Sequence, residues 1–119
     1  MSNCGQAVIM RGTTVSNTFS VDIDLREATV YAWYAQGDKL LLKKCSAIDN
    51  QILVSESTFV VNFTQEETLM FSQKSKDTEI KMQFGYVFQN GVADRSNIIY
   101  ATVGAILSDE VMQYVQGNV

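Results

Sequence analysis

The chain has 119 residues, 46% of them hydrophobic and 18% charged, the size and balance of one globular domain, which excludes a disordered chain. Its net charge of −4, with only Lys43 and Lys44 adjacent among nine basic residues, excludes the basic stripe by which nucleic-acid binders neutralise phosphates. Histidine is absent, which removes the commonest general base and the commonest metal ligand together.

In chain order, Ala7-Val8-Ile9-Met10 is a short apolar run, and Arg11-Gly12-Thr13-Thr14 reads as a turn. From Val15 to Val21 the residues alternate, with Val15, Phe19 and Val21 on one face, which predicts a half-buried strand. Asn17 is the one polar residue on that apolar face. A charged connection over Asp22–Glu27 leads into Ala28–Ala35, rich in β-branched and aromatic residues and expected as a strand. Gly37-Asp38 separates it from a second run, Lys39–Cys45, so the two form a predicted hairpin. Leu40, Leu41 and Leu42 stand in a row there, and alternation does not say which face is core.

Gln51–Val54 is a short candidate strand, and Thr58–Phe63 alternates with Phe59, Val61 and Phe63 on one side. Thr64-Gln65-Glu66-Glu67 has the form of a capping box and predicts a short helix after Thr64. Asp77–Gln89 is the clearest strand pattern, with Ile80, Met82, Phe84, Tyr86 and Phe88 on one face. Asn90-Gly91 then signals a hairpin whose return arm is Asn97–Gly104, with a longer loop or a bulge between. Ser108-Asp109-Glu110 followed by Val111, Met112, Tyr114 and Val115 has the cap, early acids and apolar stripe of a short helix. The expected architecture is all-β: an immunoglobulin-like sandwich or small barrel of about seven strands with one short helix. It occupies residues 1–119 as one domain, with an extended arm at 1–10 and a short helical tail at 108–119.

No glycine loop able to cradle phosphate and no serine-nucleophile motif occurs, so no catalytic residue, metal ligand or cofactor is assigned and the chain is expected not to be an enzyme. Asp22, Asp24 and Glu27 offer too few oxygens at set spacing for calcium and read as a solvated loop. Glu66 and Glu67 read as helix capping rather than an acid–base pair. The N-terminus lacks the basic segment and apolar core of a secretory signal, and no apolar run approaches the ~20 residues of a membrane span. Cys4 and Cys45 are therefore expected as free thiols in a reducing cytoplasm. Tyr31 and Trp33 share one face of their strand. Sandwiches commonly bury one such tryptophan, so Trp33 is expected in the core; otherwise the pair is an aromatic surface offered to a partner. With Val111, Met112, Tyr114 and Val115 of the tail, Tyr31 and Trp33 form the candidate interaction surface.

Met10-Arg11-Gly12-Thr13-Thr14 leading into Thr18-Phe19-Ser20-Val21, then Ala28-Thr29-Val30-Tyr31, the Gly37-Asp38 hairpin and Thr64-Gln65-Glu66-Glu67-Thr68 carry a resemblance. Over about Arg11 to Val111 the chain is similar to small β-sandwich virion proteins of bacteriophages and prophages of gut Firmicutes, and in plan to the N-terminal domain of phage baseplate upper proteins. Val15 stands where that pattern has proline. The resemblance implies a tail, baseplate or head-decoration component, made in a bacterial cytoplasm and carried in the virion. Its partners would be other virion proteins and further copies of itself, with neither nucleic acid nor membrane. The alternative expectation is a carbohydrate-binding or adhesin-like sandwich that stacks a glycan on Tyr31 and Trp33.

Overall fold

Side chains alternate across a strand, and in the run Ala28–Gln36 both alternating sets are large. The fold is decided by which set turns inward. The computed structural model describes residues 7–74 and 79–115. In it Val30, Ala32 and Tyr34 are buried, while Tyr31 and Trp33 take the opposite face. Trp33 is therefore not the core residue expected of it; Tyr34, 1% exposed, holds that place and meets Phe63 edge-on at 4.8 Å.

The strands are β1 (Ala7–Met10), β2 (Ser16–Ser20), β3 (Ala28–Gln36), β4 (Lys39–Cys45), β5 (Ile52–Val54), β6 (Thr58–Asn62), β7 (Glu79–Phe88), β8 (Ala93–Arg95) and β9 (Ile99–Gly104). A single turn of helix, α1 (Gln65–Thr68), lies between β6 and β7. One sheet runs β1-β9-β7-β3-β4 with β8 on β7; the other runs β2-β6-β5. The distribution of β2 to β9 over the two sheets is the Greek-key arrangement of immunoglobulin-like sandwiches. Among the described residues nine strands stand where about seven were expected, because β1 and the short β8 both pair with the larger sheet.

Both expected hairpins follow from their turn residues. Gly37, with φ of +61°, closes a two-residue loop between Gln36 and Lys39, as a glycine-first turn requires. The register then slips by one residue near Leu41, which places Leu40 outward opposite Ala35 and Leu42 opposite Tyr34, against the core. At the second hairpin Phe88 bonds to Val92 across a loop ending in Gly91, and the return arm carries one extra residue around Ser96–Ile98. That is a bulge: the Ser96 backbone amide and carbonyl bond to the Phe84 carbonyl and the Gln83 side chain, and its hydroxyl accepts from the Phe84 amide.

The expected arm at 1–10 is corrected where it is described. Ala7–Met10 is a strand paired in parallel with β9, and Ile9 is completely buried; Met1–Gln6 lie outside the described residues, as does Cys4. Parallel pairing with partners 94 residues away, as Ala7 with Ala101, leaves no local trace in sequence. The helical tail is corrected as well: Ala105–Val115 has no regular secondary structure, and residues 116–119 lie outside the description. A helix this short is marginal without an apolar face packed on the body.

Between the sheets, Phe19 and Phe59 of the small sheet stack at 5.1 Å, and Phe84 of the large sheet meets Phe59 edge-on at 5.0 Å. Phe59 has no exposed surface. Phe59→Ala is expected to lower unfolding free energy by about 3–5 kcal/mol, measured by urea denaturation, because the ring touches both sheets.

Candidate functional site

The outer face of the large sheet is built around β3. Pairing sets Trp33 opposite Lys43 of β4 and Gln83 of β7, and Tyr31 opposite Cys45 and Gly85. The Tyr31 and Trp33 rings stack with centroids 5.9 Å apart and planes 11° from parallel. Lys43 Nζ sits 5.4 Å from the Tyr31 ring centre, and the Arg95 guanidinium 4.6 Å from that of Trp33. The row is thus an aromatic pair with a cation on each ring, both cations attracted by the negative ring faces. Among the described residues neither Lys43 nor Arg95 forms an ion pair with a carboxylate.

Gly85 makes this packing possible. A Cβ there would lie 3.0 Å from the Asp94 carbonyl oxygen, 3.2 Å from Trp33 Cζ3 and 3.3 Å from Arg95 Cγ. A hollow of about 200 Å³ remains beside the row, bounded by Tyr31, Trp33, Gly85, Asp94 and Arg95. A second, of about 180 Å³, lies across Trp33 toward Leu40 and Ile98. Sequence pattern singled out Tyr31 and Trp33 but not Lys43, Gly85 or Arg95. The Asn90-Gly91 turn would have identified Arg95, once a three-residue loop is chosen, because that choice alone sets Arg95 opposite Gly85.

The tail is a separate surface. Arg11, 9% exposed, bonds through Nη1 to Asp109 Oδ1 at 2.8 Å and to Gln73 Oε1 at 2.9 Å, and through Nη2 to the Leu69 carbonyl at 3.1 Å. Two glutamine amides grip the tail backbone as a neighbouring strand would, each donating to a carbonyl and accepting from an amide of the same residue. Gln73 holds Ile106 in this way and Gln65 holds Met112. Past these clamps the side chains are uncovered: Met112 is 60% exposed, Tyr114 89% and Val115 81%, while Val111 is half-buried. The six candidate interaction residues thus fall on two surfaces, Tyr31 and Trp33 on the sheet and the rest on the tail.

Two of the segments named for the resemblance, 10–14 and 64–68, meet in space. The Thr68 hydroxyl donates to the Thr13 carbonyl at 2.9 Å and accepts from the Thr13 amide at 3.2 Å. The chemistry of this joint is architectural: buried hydrogen bonds linking α1 to the β1–β2 turn.

Elsewhere, Asp24 and Glu67 are tied to local partners. Asp24 is held by a bidentate hydrogen bond and the backbone amide of Arg26, which bring its carboxyl down to about 2. Among the described residues no three cysteine, aspartate or glutamate side chains converge as metal ligands would. Cys45 is a buried free thiol. The Lys44 ammonium, 3% exposed, lies 2.5 Å from Glu67 Oε1 and 5.2 Å from the Phe63 ring centre. Glu67 also completes the expected capping box, accepting from the Thr64 amide while Thr64 Oγ1 accepts from the Glu67 amide. Burial pushes the Glu67 carboxyl up, but the hydrogen bonds from Lys44 and Thr64 outweigh it and hold the carboxyl below its ordinary value.

A depressed folded-state value means that ionised Glu67 contributes stability above its unfolded value of 4.5, and that the contribution is lost as pH falls through the folded-state value. Glu67→Gln leaves Lys44 charged and buried without a counter-ion. It is expected to cost about 3–4 kcal/mol at neutral pH, the lower part of the range for broken buried pairs because Glu67 keeps some contact with water. The gap from the parent protein should close below pH 4.5, as followed by thermal unfolding across a pH series. A gap that stays constant with pH would rule out the ion pair as its source.

Among the described residues no helix is long and apolar enough to cross a membrane. No protein-family model matches the chain, and a search of curated proteins finds no match.

Proposed function

We propose that this protein is a non-enzymatic structural component of a phage or prophage virion, in the tail, baseplate or head decoration, and that it works by protein–protein assembly. The observation that carries this reading is the tail. An ion pair and two glutamine clamps fix its base as far as Met112, yet among the described residues Met112, Tyr114 and Val115 are largely exposed. Fixing backbone while leaving apolar side chains in water gains nothing for a lone chain, whereas a pre-ordered apolar segment lowers the entropy cost of binding a partner. The resemblance to virion sandwich proteins points the same way, since Thr13 and Thr68, which belong to it, make architectural hydrogen bonds.

The carbohydrate reading has less support. A sugar stacks on the free face of an aromatic ring, and here each ring faces its neighbour and carries a cation.

In light scattering over a concentration series, the protein is expected to show a mass that rises to a defined multiple of one chain. The double variant Tyr114→Ser, Val115→Ser should lower that mass and leave the thermal unfolding temperature unchanged, because both side chains are exposed. A single-chain mass at every concentration would speak against a multi-copy component.

A further inference from the structure

The tail and the aromatic row are both incomplete surfaces, and their chemistry is complementary. The hollow bounded by Trp33, Gly85 and Arg95 has a volume of about 200 Å³. An apolar cavity of roughly 150 Å³ is enough to hold benzene, so this hollow can seat one aromatic side chain. Tyr114 is the only aromatic residue of the tail and is 89% exposed. Around the hollow stand Lys43 and Arg95, cations without a carboxylate partner among the described residues; on the tail stands Glu110, an exposed carboxylate likewise without a cation. The ring edges of Tyr31 and Trp33, positive by their quadrupoles, add to the attraction for an acidic, aromatic segment. Within one chain the tail is clamped to Gln65 on α1 and to Arg11 and Gln73, not to the outer face of the large sheet.

We propose that the tail of one copy docks on the outer face of a second copy, with Tyr114 in the hollow beside Trp33 and Glu110 toward Lys43 and Arg95. The inference rests on the assembly reading and names the surface that receives the tail. The contact is heterologous: each copy offers a tail and a groove on different parts of its surface. Association therefore continues head to tail into a ring if the rotation closes and a filament if it does not.

Trp33 is the only tryptophan, so its emission reports on this groove alone. In the full-length chain, Trp33 emission is expected to shift over the same concentrations at which light scattering shows the mass rising. A synthetic peptide of residues 107–115 added to dilute protein should give the same shift saturably, and its Tyr114→Ser version should bind roughly 10- to 100-fold more weakly, as for a central aromatic anchor. Arg95→Glu, at an exposed position whose folding is checked by circular dichroism, should weaken both association and peptide binding, and raised salt should weaken the parent protein in the same direction. Rising mass with flat Trp33 emission, and Arg95→Glu assembling like the parent, would overturn the groove contact and leave the assembly reading standing. A constant single-chain mass with no peptide effect would overturn both. A peptide effect without any rise in mass would show a groove that takes the free segment but not the clamped tail of another copy, and would overturn the contact between copies.

Discussion

Thr68 is fully buried, and its hydroxyl is shared with the amide and carbonyl of Thr13, fifty-five residues earlier. A buried hydroxyl without partners is costly, so satisfying it fixes the distance between α1 and the turn that carries the chain from one sheet to the other. Arg11, just before that turn, then lies where its guanidinium reaches Leu69, Gln73 and Asp109 together. The position of the helix, the crossing between sheets and the anchorage of the tail all depend on this joint. The Arg11–Thr14 turn and α1 are thus two sides of one contact.

The tail clamps are chemically unlike the Lys44–Glu67 pair. A glutamine amide presents a donor and an acceptor in one plane and satisfies both backbone groups of a single residue without carrying charge. Gln36 does the same for Ser72 between β3 and the segment after α1. Neutral clamps do not titrate, so acid that protonates Glu67 leaves Gln36, Gln65 and Gln73 unchanged. Among the described residues the tail's ionic attachment is the Arg11–Asp109 pair, and Asp109 is largely exposed.

What could be read from sequence was what a few neighbouring residues decide. The Gly37-Asp38 and Asn90-Gly91 hairpins, the Thr64–Glu67 capping box and the alternation of β2, β6 and β7 are local, and each is found where its residues place it. The face of β3 was not local. Val30, Ala32 and Tyr34 compete with Tyr31 and Trp33, and the outcome depends on neighbours: Gly85 makes room for Trp33 on the outside, while Phe63 receives Tyr34 within. Asn17 was the irregularity in β2; it lies on the inward side, beside the Tyr34 hydroxyl, which burial holds in its protonated form and Asn17 draws the other way. The tail misled because its helix signals were real but outbid. Ser108 caps only a two-residue turn at Glu110, Asp109 is taken by Arg11, and the backbone groups of Met112 that a helix would use are held by Gln65.

The parallel pairing of β1 with β9 brings the first and last strands of the described residues side by side and pointing the same way. Tension applied to the start of β1 and the end of β9 would run along both strands in opposite senses. It would shear the whole ladder from Ala7–Ala101 to Met10–Gly104 at once instead of peeling its bonds one after another. A domain joined to its neighbours through these two ends would resist stretching more strongly than its overall stability suggests, and would yield in a single step.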